Sequence, residues 1–258
     1  MLPHIGFNHG EHGLAARMAV VISRKKSDDS VMKKPWFVKN QRAGLAVIEG
    51  PKSKHFTMDT FDSIYQRRAI KQFDPEHKLS EEEENKLFEA AIQSPTSFNI
   101  QHWRFVVLRD PDLRSKIRTD FGNDQAQMTD ASLLILLTGD VKAWQKEPER
   151  YWKNAPQEVS DLLVGWMGPF HEGREWLQRD EAQRSIGMAM QTIMLAAKAM
   201  GYDSCPMIGF DIDEVAKLIN LPEDHVMGPM VAVGKGTKDA WPKPGQLSLD
   251  ELIVENSF

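Results

Sequence analysis

The sequence predicts an α+β protein in which helices predominate around a small set of strands. Three observations lead there. Apolar runs that read as buried strands are few: Phe105 to Leu108, Ala131 to Leu137 and Met230 to Val233. Helical periodicity fills most of the chain between them, without the regular alternation that a doubly wound parallel sheet requires. A length of 258 residues with 41% hydrophobic and 27% charged side chains is enough to bury a full core.

Composition narrows the function classes. A net charge of −5 gives no basis for a nucleic-acid or membrane surface. No apolar run approaches the roughly 20 residues that span a bilayer. A single cysteine, Cys205, excludes an internal disulfide and a Cys-rich zinc centre, so no metal is expected and a reducing, cytoplasmic setting is.

Residues 1–57 stand apart from the rest. They hold ten Lys and Arg against four Asp and Glu, a balance of +6 that leaves −11 on the other 201 residues. Periodicity is weak there, and Ala15 to Ile22 lacks the length and flanks of a signal peptide. The segment reads as a disordered basic arm or as upstream sequence from a misassigned start, with residues 58–258 as the folded domain. His4, His9 and His12 within it are expected to bind no metal.

Along the domain, Phe61, Ile64 and Tyr65 recur at helical spacing and lead into Arg67-Arg68. Ser80 and Glu83 form a capping-box pair for a second helix, whose four glutamates complement the helix dipole while facing solvent. Leu87, Phe88, Ala91 and Ile92 are its apolar stripe, and Pro95 closes it. A loop of small hydroxyl and amide residues, Ser94 to Arg104, then runs into the first strand. Asp110-Pro111 caps a helix carrying Leu113, Ile117 and Phe121. Residues 142–180, rich in Trp, Pro and charge, read as helices joined by irregular turns, with Trp166 to Phe170 either covering a pocket or simply packing. Glu181 to Met200 is the longest expected helix, stopped by Gly201. Asp211 caps a short helix with Val215, Leu218 and Ile219 inside, and the chain closes with Leu249 to Val254.

Common catalytic signatures are missing. Gly234-Lys235-Gly236-Thr237 lacks both the upstream glycine and the Ser or Thr that follows lysine in a phosphate loop, and Asp239 breaks the dinucleotide fingerprint. Cys205 has no cationic neighbour in sequence and reads as an inert buried thiol. What remains is a dispersed set of polar and basic residues, the form expected where a bound cofactor performs the reaction.

Four segments, in order along residues 58–254, resemble motifs of the FMN-dependent nitroreductase family. Arg67-Arg68-Ala69-Ile70-Lys71 is similar to its Arg-Arg-Ser-x-Arg/Lys segment, and Pro95 to Trp103 to its Pro-Ser-Ser-x-Asn-x-Gln-Pro-Trp loop. Asn123 to Gln127 resembles its Asn-Gln segment, and Gly201 to Gly209 its Gly-x-x-x-x-Pro-x-x-Gly segment. The resemblance implies a nitroreductase-like α+β fold: a mostly antiparallel sheet flanked by helices, in a homodimer with sites across the interface. It also implies an FMN-dependent oxidoreductase passing hydride from NADH or NADPH, through flavin N5, to nitroaromatic, quinone or other flat acceptors in a ping-pong cycle.

On that resemblance Arg67, Lys243 and Lys235 hold the FMN phosphate. Lys71 tunes the flavin from its N1 and C2-carbonyl edge. Thr96, Ser97 and Asn99 reach the flavin of the other subunit, and the backbone of Met207, Ile208 and Gly209 faces N5. Arg68, Ala69, Pro95 and Pro206 complete the motifs. Departures from the family pattern are Ala69 for Ser, Ile208 for an acidic residue, and His102 for the Pro before Trp103, which puts an imidazole near the pocket rim. Asp124 aligns with a ring-binding Asn, so that either neighbouring Asn123 takes that role or the flavin potential shifts downward. Two alternatives accompany this reading. One is the same fold with other flavin chemistry (enone, pteridine or flavin reduction, dehalogenation, an oxygen-dependent reaction); the other is a non-catalytic flavin-binding or interaction protein.

Overall fold

The computed structural model of the chain describes residues 58–258. The basic extension, with its expected disorder or misassigned start, lies outside the described residues.

One antiparallel sheet organises the domain. Its strands are β1 (Trp103–Val107), β2 (Leu133–Asp140), β3 (Asp203–Met207) and β4 (His225–Gly234), in the spatial order β1-β2-β4-β3. β2 is buried at every residue because both faces of the sheet are covered. Successive side chains of a strand point to opposite faces. Accordingly Leu134 and Leu136 join Ile70, Ile117, Met128, Met207 and Met230 in one core. Leu133, Ile135 and Leu137 join Leu87, Trp103, Ile186, Ile193 and Val231 in the other.

The helices are α1 (Thr60–Gln66), α2 (Glu81–Ala91), α3 (Pro111–Lys116), α4 (Gln127–Asp130), α5 (Gln157–His171), α6 (Glu175–Ala199), α7 (Ile212–Leu218) and α8 (Leu249–Leu252). The capping box at Ser80 and Glu83 forms as expected, and Asp110 caps α3 with Pro111 in its first turn. α6 begins at Glu175, six residues before the sequence pattern suggested, because its first turn carries exposed Trp176 and charge instead of an apolar stripe. It stops where Gly201 takes φ +86, a left-handed conformation that costs glycine little.

Four expectations change. β3 was not anticipated as a strand; Pro206 is tolerated there because β3 lies at the sheet edge, where a missing N–H breaks no ladder bond. Glu84 is not solvent-facing like Glu81 and Glu82: it is buried and paired with Arg109, while Glu83 is half-buried against Ser80 and Tyr202. Trp166 to Phe170 is continuous α5 helix, in spite of Pro169, with Met167 buried beside Ile100, Ala143 and Tyr151. β4 starts at His225, five residues before the expected Met230, since Gly228 and Pro229 interrupt the apolar run without ending the strand.

Candidate functional site

Arg67 ends α1, and the chain then runs extended along β3, with Ala69 bridged to Ser204 and the Ile70 amide donating to the Ser204 carbonyl at 3.0 Å. Extended backbone sends alternate side chains to opposite sides. Lys71 reaches Cys205, its Nζ 3.5 Å from Sγ, and Arg67 also acts on that thiol through its charge. Arg68 and Ile70 point the other way and line a cleft of about 590 Å³ with Lys198, Asp203 and Lys238. Arg68 donates there to the Trp241 carbonyl. The sequence segment thus divides: Arg67, Ala69 and Lys71 share one side, and Arg68 belongs to the other.

Cys205, isolated from cations in sequence, has two beside it in space. Burial pushes its thiol pKa up, and the lysine, the arginine and the Gln127 amide only partly offset that, so it stays protonated. Gln127 is buried, its Nε2 3.9 Å from Sγ and 3.1 Å from Gln125 Oε1. Neither Gln127 nor Cys205 was singled out as a site residue. The convergence of distant segments, with no local spacing, brings them to Lys71.

A second polar group braces the turn after β3. The side-chain amides of Asn123 and Gln125 both donate to the Gly209 carbonyl, at 3.1 and 2.8 Å. This fixes the backbone of Met207, Ile208 and Gly209, whose Ile208 is 62% exposed, while Met207 is buried and Pro206 half-buried. Asp124 turns away and pairs with Arg118 Nε at 2.7 Å. Asn123 and Asp124 both hold positive φ, 51° each, which Asn and Asp tolerate better than other side chains. Lys235 offers its carbonyl to the Asp74 amide at 2.9 Å; its side chain and that of Lys243 are exposed.

The third group is the loop from Pro95 to Gln101. Thr96 Oγ1 accepts from the Gln101 amide at 3.0 Å, and Asn99 Nδ2 donates to the Tyr151 carbonyl at 2.8 Å. Phe98, Asn99 and Gln101 have φ of 50°, 56° and 55°. Each such non-glycine residue costs on the order of 1–3 kcal/mol, and such strain gathers at sites where geometry matters. Among the described residues the side-chain hydrogen bonds of Thr96 and Asn99 stay within the loop or run to Tyr151, and none reaches the Lys71–Cys205 group. His102 corrects an expectation: it is wholly buried and bonded to Ser185 of α6, not placed at a pocket rim.

The donor set suits a flat heterocycle bearing an anionic tail. Arg67 and Lys71 have no carboxylate partner among the described residues, and the one hydrogen bond of Lys71 is to a soft, weakly accepting thiol. Ala69, small and exposed, leaves the side between them low and open.

The sequence pattern of the nitroreductase family matches residues 64–235. Protein DrgA of Synechocystis sp. is 65% identical over 201 residues, covering 76% of this chain and 95% of DrgA. MhqN of Bacillus subtilis, provisionally named an NAD(P)H nitroreductase, is 31% identical over 197 residues, covering 74% of this chain and 95% of MhqN. A protein of Exiguobacterium sibiricum solved in complex with FMN superposes with a TM-score of 0.71 at 26% identity, over 76% of this chain and 97% of that one. On these matches and this fold, the chain belongs to the nitroreductase family.

Proposed function

We propose that the protein is an FMN-dependent oxidoreductase working as a homodimer in the cytoplasm, with NADH or NADPH as reductant and flat electron-poor acceptors, nitroaromatics and quinones among them, as oxidants. When bound, FMN would supply two-electron hydride-transfer chemistry between the nicotinamide and the acceptor, the two half-reactions of a ping-pong cycle. The chain's own residues hold, orient and tune.

Lys71 sets an ammonium where negative charge builds on reduction. Its effect there is strong because Cys205, kept protonated by burial, offers no competing anion. Arg67, with Lys243 and Lys235, neutralises the phosphate. Asn123 and Gln125 hold the Gly209 carbonyl, so the backbone of Met207, Ile208 and Gly209 presents a fixed edge to the reacting face. Thr96, Ser97 and Asn99 serve the site of the partner protomer, in keeping with hydrogen bonds of Thr96 and Asn99 that stay within their loop or run to Tyr151. No side chain is required as a general acid or base.

The observation that carries this reading is the meeting of Lys71 and Arg67 at a protonated thiol, with no carboxylate among the described residues to neutralise them. The test is reconstitution. Apoprotein titrated with FMN should quench flavin fluorescence to saturation at one FMN per chain, and anaerobic NADPH or NADH should then bleach the oxidised flavin band. A protein that takes up no FMN ends the proposal.

A further inference from the structure

The strained Pro95–Gln101 loop is tied at both ends to a single face of α6. On the entering side, Ser94 Oγ lies 2.8 Å from Thr192 Oγ1; on the leaving side, His102 Nδ1 lies 3.0 Å from Ser185 Oγ. Ser185 and Thr192 are seven residues apart, two helical turns, and so share one face. Each hydroxyl spends its only proton on its own helix: Ser185 donates to the Glu181 carbonyl at 2.7 Å and Thr192 to the Met188 carbonyl at 2.9 Å. Both oxygens therefore accept from the loop. Ser94 must donate to Thr192, and His102 must carry its proton on Nδ1 to donate to Ser185.

The loop has further supports. The His102 carbonyl accepts from the Asp140 amide at 2.8 Å, Trp152 Nε1 donates to the Phe98 carbonyl at 3.1 Å, and the Phe98 ring packs on His171 at 5.8 Å between centroids. The two hydroxyl anchors hold the legs through their side chains, each to α6. Between them lie the three positive-φ residues, a conformation that persists only when its surroundings dictate it. At position 102 the related motif has proline, which stiffens a chain through its ring. Here an imidazole stands instead, wholly buried.

We propose that His102 is a positioning residue: together with Ser185 it clamps the strained loop to α6 and so presets Thr96, Ser97 and Asn99 for the cofactor. The clamp follows from the geometry of the single chain; its bearing on the cofactor rests on the function proposed above. His102 and Ser185 work as a unit, and Ser94 with Thr192 holds the opposite leg.

The test uses the full chain, first without FMN. Hydrogen exchange should quicken at least tenfold in H102A for the peptide holding the Asn99, Ile100 and Gln101 amides, with core peptides of β2 and β4 unchanged. S185A should act in the same direction, and H102A/S185A should add little to H102A alone. In H102N the side-chain amide regains the donor to Ser185, and exchange should return to within about threefold of the parent. The second readout is the FMN dissociation constant, measured well below the melting temperature: at least tenfold weaker in H102A and recovered in H102N. A merely structural role would lower the melting temperature and leave that constant unmoved. Loop exchange unchanged in both H102A and S185A, or raised equally across the whole chain, overturns the clamp. If the parent itself takes up no FMN, the functional reading falls, while the exchange comparison still decides the clamp.

Discussion

Two side chains show how burial and charge set behaviour one residue at a time. Burial pushes the pKa of His102 from 6.5 to about 4, with a further downward contribution from His171, a raising one from Asp140 and a lowering one from Arg104. The sign follows from linkage. Between those two values the unfolded chain takes up a proton and the folded chain does not, so the stability held by the neutral ring is full above about 6.5 and drains as pH falls toward 4. His171 is lowered too, chiefly by burial and against its Met167 carbonyl bond, and adds to the same slope. At ~1.4 kcal/mol per pKa unit, His102 alone contributes about 3 kcal/mol of acid sensitivity. Thermal melts from neutral to mildly acid pH should show it, with a shallower slope in H102N; equal slopes would clear His102 of the effect. Lys71 is the electronic counterpart. Replacing it by Met removes the ammonium beside Cys205 and should lower the bound flavin's midpoint potential by roughly 30–60 mV, which is ~1.4–3 kcal/mol for a two-electron couple. Spectroelectrochemistry on K71M checks this, and an unmoved potential removes Lys71 from the tuning role.

α6 packs closely where it crosses the sheet, and a glycine makes the crossing possible. A Cβ on Gly228 of β4 would lie 2.7 Å from the Leu137 carbonyl and 2.7 Å from Ile186 Cγ2. The backbone carbonyl of a central strand cannot retreat, so G228A should cost about 1–3 kcal/mol and lower the melting temperature by about 2–4 °C for each of them. An unchanged melt would mean that α6 slides instead of staying seated. This crossing also explains what was legible in the sequence. β2 announced itself because burial on both faces demands a continuous apolar run, and α2 because its capping box is local chemistry. β3 did not, since an edge strand needs neither alternation nor freedom from proline, and Asp203 and Pro206 hide it. The site divides in the same way. Arg67 and Lys71 lie in one short motif and could be read directly, whereas Cys205 and Gln127 join them only because α4 and β3 bring separated segments together. The side to which Arg68 points depends on strand parity, which the motif does not carry.

For the molecule as a whole, its apolar surface is unevenly distributed. Phe61 and Tyr65 of α1 are 66% and 67% exposed, and in the C-terminal tail Trp241 is 86% and Leu249 70% exposed. Isolated exposed apolar residues need no explanation, but a cluster of large ones marks a surface that another body covers. Lys71 and Ile208 of the proposed site are exposed as well, while among the described residues no side-chain hydrogen bond of Thr96 or Asn99 reaches them. On the function proposed above, a second copy of the chain would resolve both facts at once, covering α1 and the tail while bringing its own Thr96–Asn99 loop to Lys71. Such a homodimer should be obligate, since each half of the site is incomplete alone. Light scattering should therefore give a mass near twice the 29.4 kDa of one chain, independent of dilution into the micromolar range. Removing residues 241–258 should shift the protein toward monomer and weaken FMN uptake in the same titration, because the tail contributes its apolar side chains and Lys243 together. A truncated protein that stays dimeric and binds FMN as before would place the interface elsewhere and strip the tail of both roles.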